Sequence, residues 1–575
     1  RYWRAAGLRL ISTPQRQHRE PHRGHARIVA ACTGGQSEIL RLSHASPVRL
    51  LPMVNSAVER SGAAWSAMGS FGGGLLGGDE VDITLDVGPG ASLVLITQAS
   101  TKIYMTRAGQ KTLQSFVATI GQRGLLVLAP DPLVPFASSQ YAQQMHFALE
   151  SLDDANQRAS AVIVDWLGAG RVASGERWAF DEYSSRCEFT WDASPGSRLV
   201  EAVELRGTDS HVLGALTQFD AVVTIFACGP QAHGVVSRLE KVALLLASRC
   251  GARARDQLES SEENSEQELH LPRMNGKAVM GVTTDDKTRC TVARLMAENT
   301  EDVYRLLHLC LIPLSESIGA ELYADRVHGT GYFELKAGHK QRVKTTPRRS
   351  SAQQHQVSSL SRQQQFTLCQ LTDSLLPIGG FAHSGGIEAA MQLGLLPRME
   401  GDVDSLRCFI QLLALSTLRL QGFFVRAAHR LGGDETETAW RKLNADLHAH
   451  LAGSLACHAS LQQGAGLRRI GRRWCPPLEH GHFASLFGLV AARLDLPEEV
   501  TVQAFLYCCV RDAVSAAVRL NLIGPLQASE LQRSILENLE EVECHSESTR
   551  PAGCAPLVDC AHAAHELLEA RLFLT

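Results

Sequence analysis

Apolar and polar positions follow two different periods along this chain. On the N-terminal side, Val81-Asp82-Ile83-Thr84-Leu85-Asp86-Val87 alternates strictly, as a strand buried on one face does. Gly88-Pro89-Gly90 breaks the run, and Leu93-Val94-Leu95-Ile96 resumes it. Further short apolar runs at 116–120, 125–129, 145–149 and 161–164 are separated by Gly, Pro, Asp or Asn. This predicts a mostly-β domain with a few helices, one of them near 301–312. On the C-terminal side the period is helical. Val502, Phe505, Leu506, Cys509, Val510, Ala513, Ala516, Ala517 and Leu520 fall at three- and four-residue steps, and Gly524-Pro525 stops the run. Segments 405–430, 436–463 and 484–493 read the same way, so this half is expected to be an all-α bundle.

Two breaks in composition divide the chain. Residues 251–270 hold six acids among Ser, Gln and Asn, and read as an acidic, solvated loop inside the first domain. Residues 336–365 are rich in Lys, Arg, Gln and Ser, contain no acid and show no apolar period, as expected of a basic linker. The expected organisation is a basic extension at 1–44, a β-rich domain at 45–330, the linker at 336–365 and a helical domain at 366–575. Residues 1–44 carry many Arg and only Glu20 and Glu38, so they read either as a transit-like segment or as a disordered extension.

The 575 residues suffice for two or three domains, and 45% hydrophobic content supplies ordinary cores. A net charge of −4 predicts no attraction to nucleic acid or membrane, and no run of 18 apolar residues predicts a membrane span. Fifteen cysteines without regular spacing read as free thiols in a reducing compartment, so the expected location is cytoplasmic.

Catalytic signatures are missing. There is no Gly-x-x-x-x-Gly-Lys-Ser/Thr, and the glycines of 72–78 precede a strand instead of a helix. His383-Ser384 forms no Gly-x-Ser-x-Gly, and neither Cys-x-x-Cys nor His-Glu-x-x-His occurs. Two looser metal patterns remain. One is His480-Gly481-His482. The other is the crowd of Cys544, His545, Cys554, Cys560, His562 and His565 near the C-terminus, whose imidazoles and thiols suit Ni²⁺. The second pattern leaves a metal-dependent hydrolase open as a rival reading, and an interaction module without metal contact is a third.

Longer motifs are more specific. Gly72-Gly73-Gly74-Leu75-Leu76-Gly77-Gly78-Asp79, Thr97-Gln98-Ala99-Ser100-Thr101-Lys102-Ile103-Tyr104, Asp165-Trp166-Leu167-Gly168-Ala169-Gly170-Arg171 and Ser174-Gly175-Glu176-Arg177-Trp178 resemble the urease accessory protein family UreD, also called UreH. The Asp-Trp and Gly-Glu-Arg-Trp wording looks closer to plant relatives than to bacterial ones. Leu371-Thr372-Asp373-Ser374-Leu375-Leu376-Pro377-Ile378-Gly379-Gly380-Phe381-Ala382-His383-Ser384-Gly385-Gly386-Ile387-Glu388 resembles the opening of the UreF family. So do Gln463-Gly464, Ser515-Ala516-Ala517-Val518-Arg519-Leu520, Pro556-Leu557-Val558-Asp559, His565-Glu566 and Arg571-Leu572-Phe573 further on.

The resemblance implies a UreD-like domain of stacked sheets followed by an all-helical UreF-like domain. It implies a non-catalytic scaffold for GTP-dependent nickel delivery to apo-urease, with a separate UreG-like GTPase as partner. The fused chain is expected as a dimer in the GTPase complex, with no tightly bound cofactor and only transient Ni²⁺. Asp165 and Glu176 match acidic family positions and are expected on a nickel route, the alternative being ion pairs to Arg171 or Arg177. Gly379, Gly380, Phe381, His383, Ser384, Glu388, Arg519, His565 and Arg571 are expected to bind partners, the alternative for Arg519 being an internal pair to Asp512 or Glu388. The C-terminal tail from Pro556 is too short to be a stable helix alone. It is expected to fold back onto residues 45–325, or else onto its own bundle.

Overall fold

The computed structural model describes residues 23–53, 62–107, 110–150, 157–191, 197–250, 269–327, 360–396, 403–432, 437–474, 479–543 and 550–575. The expected acidic loop therefore lies outside the described residues except at Leu269 and His270, and the expected linker does so up to residue 359.

Two stacked sheets build the N-terminal half. The first runs, in order of pairing, Arg198–Arg206, Glu182–Trp191, Gln140–Leu149, Thr112–Ile120, Glu80–Val87, Arg23–Thr33 and Gln36–His44. The second runs Ala278–Thr284, Thr291–Ala297, Ala221–Cys228, Ser160–Gly168, Leu125–Ala129, Ser92–Thr97, Ala64–Ser70 and Val48–Met53, with three short strands beside it. The chain alternates between the layers: Glu80–Val87 lies in the first, Ser92–Thr97 in the second, Thr112–Ile120 in the first again. Strands that become neighbours within a layer therefore point the same way, and the middle of each sheet is parallel.

The two layers differ in burial, and the sequence reflects it. The first sheet has one buried face, so Glu80–Val87 and Gln140–Leu149 alternate between exposed or half-buried and buried positions. The second sheet is covered on both faces, so Leu125–Ala129 is buried at every position. Its outer face packs Val162, Val164, Ile225 and Leu295 against the helices His233–Cys250 and Thr300–Leu311.

Residues 23–44 are not an extension. They form two strands of the first sheet and so belong to the domain, while residues 1–22 of the expected extension lie outside the described residues. Ala26, Ile28 and Ala30 point inward, while Arg27 points outward to Asp86 at 2.8 Å. The outward arginines give the segment its basic look and mask the alternation beneath. The last residues assigned to the linker also differ. Ser361 and Gln364 form a reciprocal capping box that starts the helix Arg362–Thr372.

The C-terminal half is helical as expected. The helix Phe483–Arg493 is buried from Phe483 through Ala491, which makes it the centre of the bundle. Gly488 lets it approach the helix Phe423–Leu431 so closely that an added Cβ would overlap the Val425 carbonyl. The segment Val403–Leu431 is long and apolar enough to cross a membrane by length and composition; 67% of its apolar window is buried inside the protein, as in a core helix.

The halves meet over a broad polar and apolar front. Arg419 reaches Asp209 at 2.7 and 3.1 Å, and Arg198 reaches Asp446 at 2.6 Å. Gly553 pairs like a strand with Val203, through Glu204 N–H to Gly553 O at 2.9 Å and Gly553 N–H to Ala202 O at 2.8 Å. The tail helix Pro556–Ala563 then lies on the hairpin Ala278–Thr284/Thr291–Ala297. Gly281 makes this possible, since a Cβ there would come within 2.6 Å of Ala564 N and Cys560 O. The Cys560 thiol donates to the carbonyls of Val279 and Arg294 at 3.5 and 3.3 Å. On its other side the tail touches the helix Ile387–Gln392. Both expected docking sites are therefore used, and the tail is a layer between the halves.

Two outcomes follow from this packing. Gly488→Ala should lower stability by about 1–3 kcal/mol, the usual cost of overfilling a close-packed interior, read as a fall in unfolding midpoint. Deleting residues 555–575 should let the two halves separate on a sizing column once the chain is cut within 336–359. Co-elution of the cut, truncated halves as tightly as the cut full chain would show that the tail is not the clasp.

Candidate functional site

A cavity of about 180 Å³ opens where sheets, bundle and tail converge. Glu201 and Arg294 come from the two sheets, Asp512 from the helix Glu498–Arg519, His383 from the loop before Ile387, and Asp559 and His562 from the tail. Arg294, only 7% exposed, grips Glu201 with Nε and Nη2 at 3.0 and 2.7 Å and donates Nη1 to Gly453 O at 2.9 Å. Burial pushes Asp559 up to about 7, although the Arg294 charge pulls it down. His562 is driven down to about 3 by burial and by the neighbouring His565, His383 and Arg294, so it is a neutral imidazole.

This cavity is the largest of three that share walls. Glu201 also lines a smaller one of about 30 Å³ with Asp165, Ser185 and Thr224. Asp165 in turn lines one of about 50 Å³ with Gln143, Tyr141, Gln114 and Asp131, between the sheets. Each is large enough for at least one water. Asp165 itself, on the strand Ser160–Gly168, accepts from Gln143 Nε2 at 2.8 Å and Ser185 Oγ at 2.7 Å. Burial raises its pKa, and these two hydrogen bonds oppose that shift. A buried carboxyl group held by two donors beside a small, mostly apolar cavity can meet a passing cation without enclosing it.

Glu176 is placed elsewhere. It follows the turn Val172–Ser174, accepts from Arg171 Nε at 2.9 Å and from Ala137 N–H at 3.1 Å, and is held below its usual pKa chiefly by the Arg171 hydrogen bond. Arg177 pairs with Asp220 at 2.7 Å. No contact joins Glu176 to Asp165, and Glu176 lines none of the three cavities. Its ion pair to Arg171 is the alternative reading, and the acid that extends the series from Asp165 is Glu201. Sequence reasoning missed Glu201 because only the fold brings it to Arg294.

The residues expected to bind partners come together, but mostly against one another. Gly379, in the left-handed region at φ 87°, opens the short turn Gly380–Ala382. Gly380 sits so close to Asp512 that a side chain would collide with it. Glu388, 2% exposed, takes the N–H groups of Leu572 and Phe573 at 2.7 and 3.1 Å and faces His565 Nε2 at 3.1 Å. Burial lowers the His565 pKa, against the opposing pull of Glu388. His383 Nδ1 lies 2.7 Å from Thr575 Oγ1, and Ser384 N–H donates to Thr575 O at 2.7 Å. Arg519 makes neither of the pairs considered for it. It donates to Phe381 O at 2.6 Å and stacks over the Phe573 ring at 4.4 Å, yet stays exposed, as does Arg571. The opening signature and the tail thus form one internal lock, whose solvent side shows Arg519, Arg571, Leu572 and Leu574.

Among the described residues, neither looser metal pattern assembles as spaced. Cys544 and His545 lie outside the described residues. Cys560 is turned to backbone carbonyls, His565 to Glu388, and Cys554 is buried with its pKa pushed up to about 12. His480 is exposed while His482 is 2% exposed, so those two rings part. His482 instead meets His448 and Cys457, which the sequence did not single out.

Comparison with known proteins matches these halves separately. The family model described as UreD urease accessory protein covers residues 22–328, and the UreF model covers 401–536. The chain is similar to urease accessory protein UreD of Sorangium cellulosum, with 40% identity over 218 residues, 38% of this chain and 65% of that protein's length. Urease accessory protein D of Arabidopsis thaliana is 26% identical over 300 residues, 52% of this chain and 99% of that one. The expected closeness of the N-terminal half to plant relatives is thus not seen in identity. Urease accessory protein F of Oryza sativa subsp. indica is 33% identical over 240 residues, 38% of this chain and 88% of that one. With two stacked sheets ahead of a helical bundle, in the same order as the two matches, the chain belongs to the urease accessory protein family UreD through its N-terminal half and to the family UreF through its C-terminal half.

Proposed function

We propose that this chain is an assembly factor that passes Ni²⁺ to apo-urease together with a separate UreG-like GTPase, and that the three cavities joined by Asp165 and Glu201 are the path. The observation that carries this reading is the shared walls. Asp165 lines two of the cavities and Glu201 lines two, so an acid stands between each space and its neighbour. Carboxylates with one open side bind Ni²⁺ weakly, which suits passage. His562 and Asp559 line the cavity in which the path meets the helical half. The GTPase docks on the helical half, where Arg519 and Arg571 offer cations to a partner's carboxylates, and the fused chain works as a dimer in that complex. Joining the two accessory proteins raises their mutual effective concentration to about millimolar. A pull-down with nickel-free urease and the GTPase tests the partners directly, and failure to retain either overturns the scheme.

Asp165→Asn keeps the shape and the Gln143 and Ser185 neighbours but removes the charge. Urease activation should fall by roughly an order of magnitude, the scale on which losing one metal-directing group acts, with the complex still assembled on a sizing column. Full activation by this variant would remove Asp165 from the path.

Asp559 supplies a pH signature. Its folded pKa of about 7 stands above the unfolded value, so the native state holds the extra proton. Stability is therefore lost as pH rises from about 4 to about 7 and is level beyond. Asp559→Asn should abolish that loss, gaining on the parent by on the order of 4 kcal/mol at pH 8 and by almost nothing at pH 4. Parallel unfolding midpoints of the two proteins across that range would contradict the assignment.

A further inference from the structure

Outside the cavity series, three soft side chains converge on one point. His448 comes from the helix Glu437–Leu451, Cys457 from the first turn of Ala456–Gly471, and His482 is the residue before Phe483–Arg493. His448 Nδ1 lies 3.2 Å from His482 Nε2 and 3.6 Å from Cys457 Sγ, and the three atoms fall within 4.8 Å of one another. None of the three residues lines the path proposed above.

Hydrogen bonding accounts poorly for this arrangement. A ring nitrogen carries either a proton or one lone pair, and here a second imidazole and a thiol approach the same nitrogen. The far nitrogens, His448 Nε2 and His482 Nδ1, are buried with no protein partner. Cation ligation does account for it. With metal–nitrogen bonds near 2.05 Å and a metal–sulfur bond near 2.3 Å, the edges of a tetrahedron are about 3.3 Å between nitrogens and about 3.6 Å between nitrogen and sulfur. The two separations made by His448 Nδ1, 3.2 and 3.6 Å, are close to those edges, and the third, between Cys457 Sγ and His482 Nε2, is within 4.8 Å.

We propose that His448, Cys457 and His482 form a three-ligand site for a late first-row divalent cation of the zinc and nickel class, with the fourth position open. Two imidazoles and a thiolate disfavour Mg²⁺ and Ca²⁺, which take oxygen ligands. Binding forms one metal–sulfur and two metal–nitrogen bonds and releases the Cys457 proton to solvent, with no change of oxidation state. Burial lowers the pKa of both rings, which leaves their nitrogens free to ligate, and pushes the Cys457 thiol up to about 12, so the cation must displace its proton. The site stands against the turn after Thr284, whose Asp285 and Lys287 act electrostatically on His448 and Cys457. A cation here braces three helices at the point where they face the β half. Its half-buried ligand, His448, is the way in.

The test uses the purified full chain, first stripped by chelator. Zn²⁺ titration followed by elemental analysis should show one more tightly bound equivalent in the parent than in Cys457→Ser, with affinity at that site falling at least about tenfold. Co²⁺ should give a thiolate-to-metal charge-transfer band in the parent that Cys457→Ser lacks. His448→Gln, at the half-buried position, repeats the stoichiometry test should the serine variant fold poorly. Ni²⁺ competing for the Co²⁺ band extends the site to the urease metal, while competition by Zn²⁺ alone narrows it to a structural ion. Equal stoichiometry in parent and both variants, or no cobalt–thiolate band, overturns the proposal. These readouts need neither urease nor the GTPase, so they stand or fall apart from the nickel path.

Discussion

A single buried guanidinium fixes how the layers of this protein stand to one another. Arg294 lies in the second sheet, forks onto Glu201 of the first, and donates its remaining nitrogen to Gly453 of the helical half. Its own carbonyl takes the Cys560 thiol of the tail. Withdrawing such a charge from water costs several kcal/mol, which a bidentate carboxylate in good geometry offsets. The geometry is therefore strict. Sliding the bundle along the sheets would leave the third guanidinium donor and the Gly453 carbonyl without each other, at a cost of roughly 1–3 kcal/mol. Apolar contact alone would tolerate a range of orientations. The Arg294 bond to Gly453 favours one, and the cavity lined by Asp559 and His562 lies beside that bond.

The alternation of strands between layers sets the stage for this fork. Because successive strands change sheet, the second sheet is parallel in its middle and needs cover on both faces. Helices cover its outer face. Its final hairpin would leave Val279, Val292 and Met296 open if the tail were absent, and the tail helix lies there, seated against Gly281. The helical half is thus joined to the β half by its last segment as well as by side chains, and tail and hairpin share one apolar core with the bundle.

What the sequence disclosed depended on how local each feature is. The run Val81–Val87 was legible as a strand because one face is wet, and 125–129 as a short apolar run because both faces are dry. The strands at 23–44 were hidden because their outward positions hold Arg, which dominates a reading by composition. Asp165 was reached through resemblance alone, and its hydrogen bonds come from strands 22 and 20 residues away. Glu201 could not be found, since its meaning is a partner 93 residues distant. His482 was noticed for the wrong neighbour: two residues apart in an irregular segment, His480 and His482 point apart, while helix packing supplies His448 and Cys457.

The opening signature of the helical half is a motif whose polar groups the fold also uses internally. Glycines at 379–386 with His383, Ser384 and Glu388 look like a surface meant for another protein. Folding instead turns their polar groups inward. Glu388 binds two tail N–H groups, and His383 and Ser384 bind Thr575. Such groups are costly to bury unless paired, and the tail pairs them. The motif and the tail therefore depend on each other, and each would expose unpaired polar groups alone. What remains outward is a small rim, with Arg519 braced over Phe573 and with Arg571, Leu572 and Leu574 beside it. The ordering of that rim is an effect of the internal lock. A substitution at Glu388 would thus disturb this rim from beneath, by releasing the backbone that holds Leu572 and Phe573 in place.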